Sequence, residues 1–238
     1  MLVLLCAACQ KPTGTVRLHF AFSVDGDDLQ QDTMMYQNAA GNQYEVTEAQ
    51  YFVSNVVLTM SDGTQYAIKS DKCAHYVDAD IPNTLVWRPG DELPAGAYTA
   101  ISFVFGLAPE LNVTHAYTDA PENNMSWPAM LGGGYHHMKI NGRWQALDGT
   151  AHPFNLHSGR VLTAEGDTVE HSFRVTLPLE QKILSKDDVM DIVLDMNVNR
   201  WLTSPHDFDF NEYGGSIMQN TEAQEILEAN GWDVFQAK

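Results

Sequence analysis

From residue 15 onward, apolar and polar residues alternate with period two, which commits the chain to strands with one buried face. Across residues 15–24, Val16, Leu18, Phe20, Phe22 and Val24 share one side, and Arg17, His19 and Ser23 share the other. Residues 51–60 and 65–69 flank Ser61-Asp62-Gly63-Thr64, whose Asp-Gly pair predicts a tight hairpin. Residues 97–105 place Ala97, Thr99, Ile101, Phe103 and Phe105 together. A second hairpin is predicted between residues 134–140 and 143–147, turning at Asn141-Gly142. Residues 168–177 read as one strand with Val169, Phe173, Val175 and Leu177 aligned, and residues 189–198 as another. Helix is confined to residues 222–229, with Thr221 and Gln224 read as a capping box and Gly231 as the stop. Many short strands without βαβ alternation imply an all-β chain, an antiparallel β-sandwich with long loops and one short C-terminal helix. Residues 107–133 and 202–220 are the longest irregular stretches, where functional loops are expected.

Hydrophobic residues make up 44% of the 238 residues, enough for a globular core without a disulfide framework. The formal net charge of −18 argues against nucleic acid and anionic lipid surfaces as partners and favours cations and basic proteins. Residues 1–9, an apolar run ending Cys6-Ala7-Ala8-Cys9, resemble the end of a bacterial lipoprotein signal peptide cut before Cys9. The expectation is a residual signal segment over 1–8, a lipid on Cys9, and a single domain over 9–238. Cys73 then has no partner and is expected to be a buried free thiol.

Among nine histidines, His75, His115 and His206 read as surface residues and His171 as a hydrogen-bonded histidine on an apolar face. His19 lies opposite the apolar face of its strand, facing either solvent or a polar site. Residues 125–157 are richer: Met125, Trp127 and Met130, then Tyr135-His136-His137-Met138, then His157. Neighbouring strand residues point to opposite faces, so only one of His136 and His137 can join His157 at one ion. Imidazole with thioether suits Cu(I), whereas Ca²⁺ and Mg²⁺ prefer oxygen. Asp207, Asp209 and Asn211 match the start of an EF-hand loop, but Glu212 replaces its glycine and Met218 its closing glutamate, leaving at most an irregular calcium site. No HExxH or P-loop occurs, and no nucleophile–base pair can be named, so catalysis is not expected.

Met125-x-Trp127, Gly134-Tyr135-His136-x-Met138-Lys139-x-x-Gly142-x-Trp144, Phe154-Asn155-x-His157-x-Gly159 and the ending Ser216-Ile217-Met218-x-Asn220 resemble the MbnP family. That resemblance implies a copper-binding sandwich outside the cytoplasm, periplasmic or lipid-anchored to the outer membrane. It also implies a partner, a di-haem cytochrome c peroxidase-like protein of the MbnH type, that oxidises one tryptophan to kynurenine. Carried onto this sequence, Trp127 is the modified tryptophan, and His157, His136, His19 and Met125 are the copper ligands. The sequence departs from many relatives at Ala129, where they carry a second tryptophan. The rival expectation is a surface lipoprotein that binds glycans or proteins, with exposed Trp87, Trp144 or Trp201 as stacking platforms.

Overall fold

The computed structural model describes residues 11–163 and 166–238. Cys6 and Cys9, with the proposed cleavage site, lie outside them. Two sheets face one another, as the alternation requires. The first is built on β1 (Thr13–Val24), in which Val16, Leu18, Phe20, Phe22 and Val24 are all buried. The second is built on β2 (Gln43–Met60), which pairs with β3 (Ala74–Asp78), β4 (Gly96–Phe105) and β5 (Met138–Gln145). Beyond β5 lies β6 (Ala151–Ser158), and beyond β4 lies β7 (Phe173–Leu184). The first sheet is completed by β8 (Val189–Asn197) and, at its edge, β9 (Phe235–Ala237).

Aromatic side chains bind the layers together. Phe22 of β1 meets Tyr51 of β2 edge-on with ring centres 5.6 Å apart, and Phe103 of β4 meets Phe235 of β9 at 5.2 Å. Each such buried side chain is worth about 1.5–3 kcal/mol relative to exposure.

The architecture is the expected one, a mostly antiparallel sandwich, with a parallel pair inside it. β1 runs parallel to β8, Thr15 opposite Val189 through Ser23 opposite Asn197. Parallel neighbours need a long crossover, and here the whole opposite sheet supplies it. The hairpin at Asp62-Gly63 forms: Met60 N–H donates to Thr64 O at 2.8 Å, and Gly63 has φ +85°.

Asn141-Gly142 is not a turn. β5 runs straight through it, and the chain reverses later, where Ala146 N–H donates to Thr150 O at 2.8 Å. At Asn141-Gly142 the pairing with β2 instead shifts register, a β-bulge. A Cβ on Gly142 would stand 2.0 Å from Glu45 O and 2.5 Å from the Phe154 ring, so glycine is needed for close approach. The strand expected over 168–177 is also interrupted. Thr168–Glu170 pairs with Arg160–Leu162 as a separate ribbon, Val169 is exposed, and β7 begins at Phe173. The helix spans Thr221–Asn230, but its cap is Asn220, whose side chain accepts from Ala223 N–H; Gln224 is buried and used elsewhere. Gly142→Ala is expected to destabilise the protein by about 3 kcal/mol, because the obstacle is backbone rather than a movable side chain. Urea unfolding against wild type measures it.

Candidate metal centre

β5 and β6 pair antiparallel with Lys139 opposite His157 and Met138 opposite Ser158. Apolar Met138 and Ile140 face the core, so Lys139, Asn141 and His157 lie on the sheet's outer face. Over this face folds the loop 107–133. Its return is a run of glycines, Gly132, Gly133 and Gly134, at φ +104°, +68° and +83°, which only glycine adopts in series without strain. The reversal lays 125–127 against 134–136: Trp127 N–H donates to Gly134 O at 2.8 Å, and His136 N–H donates to Met125 O at 2.7 Å.

Trp127, His136 and His157 are thereby brought into one row. The Trp127 and His136 rings meet edge-on at 4.6 Å, and the His136 and His157 rings at 5.0 Å with an interplanar angle of 87°. The indole is 3% exposed, its Nε1–H donating to Leu131 O at 3.1 Å. Gly159 makes room for it: a Cβ there would stand 2.6 Å from the indole carbons Cε3 and Cζ3.

Hydrogen bonding assigns each imidazole a tautomer. His136 Nδ1 lies 2.9 Å from Met125 O, which can only accept, so Nδ1 carries the proton and Nε2 is bare. His157 Nε2 lies 2.7 Å from Asn141 Oδ1, leaving Nδ1 bare. Both bare nitrogens, His136 Nε2 and His157 Nδ1, are buried and have no hydrogen-bond partner. Burial pushes the His136 pKa down to about 4 and that of His157 to about 3, the latter helped by the neighbouring His136 and Lys139. Two neutral imidazoles, each with a buried and unpartnered lone pair, are donors suited to a soft or borderline metal. The residues present fit a copper ion, which His136 Nε2 and His157 Nδ1 could hold. Among the described residues no group of three or more His, Cys, Asp or Glu side chains could hold a metal.

The sequence matches the MbnP family over residues 13–219. This chain belongs to the MbnP family. MbnP is a periplasmic-type family, and among the described residues no helix is long and apolar enough to cross a membrane. A solved structure, MbnP from Methylosinus trichosporium, superposes with a TM-score of 0.55 at 17% identity, covering 80% of this chain and 77% of that one. The likeness supports the fold of this MbnP-family chain. Curated proteins give no match.

Other candidates of this MbnP-family chain lie apart from the row. His19 sits on β1 in the other sheet, its Nε2 2.7 Å from Asp191 Oδ1, which Arg17 also binds. The Met125 side chain packs among Phe52, Ala74, Tyr76, Leu107 and Tyr135, and what Met125 gives His136 is its carbonyl. His137 points away from His136, as alternation predicts, and its Nε2 lies 3.1 Å from Glu170. Asp209 caps the helical turn Phe210–Tyr213 and accepts from Asn42, while Asp207 is exposed. Trp87, Trp144 and Trp201 are 4%, 7% and 1% exposed, so none is a stacking platform; each is needed to fill the core. His75 is not a surface residue but is stacked between Phe20 at 5.3 Å and Trp87 at 5.0 Å. His171 is buried with Nδ1 2.8 Å from Glu228. Cys73 is half-buried rather than buried, in a tight turn whose φ is +59°.

Two supporting residues escape a reading by motif. Gln224 Nε2 donates to the His157 carbonyl at 2.6 Å, tying the C-terminal helix to the centre, and Asn141 holds the His157 ring. Both resemble ordinary local signals, a capping box and a turn.

The depressed pKa values set a pH dependence. An unfolded histidine takes up its proton near the ordinary 6.5, whereas these two stay neutral until about 4 and 3. The unfolded state therefore binds more protons in that window, and stability is present above about pH 6.5 and is lost as pH falls towards 4. NMR titration of the metal-free protein is expected to show both rings neutral at pH 5; either one titrating near 6.5 would contradict the buried geometry.

Proposed function

We propose that this protein binds copper in the cell envelope and serves copper acquisition, storage or handling rather than catalysis. The observation that supports this best is the pair of buried, partnerless nitrogens, His136 Nε2 and His157 Nδ1, on rings 5.0 Å apart. A buried acceptor with no partner costs about 1–3 kcal/mol. Two such atoms on adjoining rings are accounted for by a ligand that takes both lone pairs.

Copper supplies a soft acceptor for imidazole nitrogen when bound. The chain's own residues keep both rings neutral by burial, fix their tautomers through Met125 O and Asn141 Oδ1, and screen them from water with the Trp127 loop. Trp127 is the residue from which a third donor arises. Indole offers no lone pair to a metal, but opening its five-membered ring to kynurenine leaves an aromatic amine and a ketone. In that conversion the ring carbon C2 leaves as formate, oxygen enters from water, and the electrons and protons removed pass to the di-haem cytochrome c peroxidase-like partner. The net charge of −18 favours encounter with a basic face on such a partner. Anchoring to the outer membrane would run through a lipid on Cys9.

Equilibrium dialysis against a Cu(I)-buffered solution tests the reading. Wild type is expected to take up a single copper per chain, and His157→Ala to lose affinity by more than the ~10–100-fold that loss of a mere supporting residue costs. Equal uptake by both proteins would remove the site. Intact-mass analysis of protein from its native host reads out Trp127 as the gain of an oxygen and loss of a carbon.

A further inference from the structure

On the outer face of the second sheet, beside His157, lies a chain of polar side chains that the ligand set does not include. Glu48 of β2 stands directly across from Asn141 of β5 in the strand register. Asn141 Nδ2–H donates to Glu48 Oε2, and Gln50 Nε2–H donates to Glu48 Oε1. Asn141 Oδ1, at the other end of the amide, accepts from His157 Nε2–H at 2.7 Å.

We propose that Glu48, acting through Asn141, is a positioning residue that selects the tautomer of His157 and so decides which of its nitrogens is offered to a ligand. An asparagine amide has two faces of nearly equal shape, one a donor and one an acceptor, and by itself it is indifferent to which it turns to a neighbour. A carboxylate is not indifferent, because it only accepts. Glu48 therefore draws the NH₂ of Asn141, the carbonyl is left for His157, and the imidazole must protonate Nε2. Nδ1 is then bare and buried. Were Asn141 reversed, its NH₂ would face Nε2, the proton would move to Nδ1, and the buried nitrogen would carry hydrogen instead of a lone pair. Gln50, itself buried, holds the second carboxylate oxygen so that Glu48 does not swing away.

His136 needs no such device. Its tautomer is imposed by a backbone carbonyl, which has no donor face to present. The β-bulge at Asn141-Gly142 also acquires a purpose: it shifts the pairing with β2 just after Asn141 and its partner Glu48. The positioning role stands on the metal-free geometry; only its effect on affinity rests on the copper reading.

The decisive variant is Glu48→Gln, which keeps size and hydrogen bonding but restores a donor face opposite Asn141. Nitrogen-15 NMR of the metal-free protein reads the tautomer directly. Wild type is expected to show His157 with Nε2 protonated and Nδ1 bare, and Glu48→Gln to show a mixture, with His136 unmoved. Cu(I) affinity is expected to fall about 10–100-fold with stoichiometry unchanged. Asn141→Leu, which removes the acceptor, is expected to act in the same direction more strongly; its thermal unfolding is followed alongside, and Glu48→Gln decides the matter if it does not fold. A single, unchanged His157 tautomer in Glu48→Gln overturns the proposal. A tautomer that mixes in a protein whose wild type takes up no Cu(I) sustains the positioning role and removes the copper reading instead.

Discussion

The structure turns on two imidazole nitrogens kept out of water with nothing to bond. Leaving His136 Nε2 and His157 Nδ1 unpartnered works against folding by about 1–3 kcal/mol each. Only a rigid surround can hold them there. It is supplied by a sheet that fixes His157 opposite Lys139, a loop bent over it by three left-handed glycines, and a helix that binds the His157 carbonyl through Gln224. The aromatic core between the sheets provides the surplus stability on which this local cost is carried.

The division of labour between sheet and loop is physical. β5 is paired on both sides, and β6, at the sheet edge, is paired to β5 along its whole length, so His157 and Asn141 have little freedom. Trp127 and His136 come from the loop and its return, joined by only a few backbone bonds and by the fit of the indole over Gly159. A segment so attached opens at lower free energy than the sheet beneath it. On the proposed copper reading, entry of an ion would use such a segment.

The sandwich is legible because burial imposes period two, and β1 shows the alternation without a break from Val16 to Phe22. Strand alternation makes it legible that one of His136 and His137 joins His157, but the choice of His136 and the place of Trp127 come only from the resemblance, since nothing local in the sequence pairs a loop indole with a strand two elements away. What misled was chemistry shared between roles. Asn141-Gly142 carries the composition of a tight turn, yet its glycine serves close packing on Glu45 and Phe154, and its asparagine serves His157. Trp87, Trp144 and Trp201 have the composition of a sugar-binding face and are core. Met125 has a soft donor but spends its side chain on an apolar cluster. His19 lies on a polar face, but that face belongs to the other sheet and holds its own partner in Asp191.

A crystal structure of the copper-loaded protein, with data collected at the copper absorption edge, tests the central claim most directly. The account requires an anomalous peak between His136 Nε2 and His157 Nδ1, bordered by the ring of residue 127. A peak at His19 and Asp191, or copper bound anywhere with those two nitrogens still unpartnered, would contradict it.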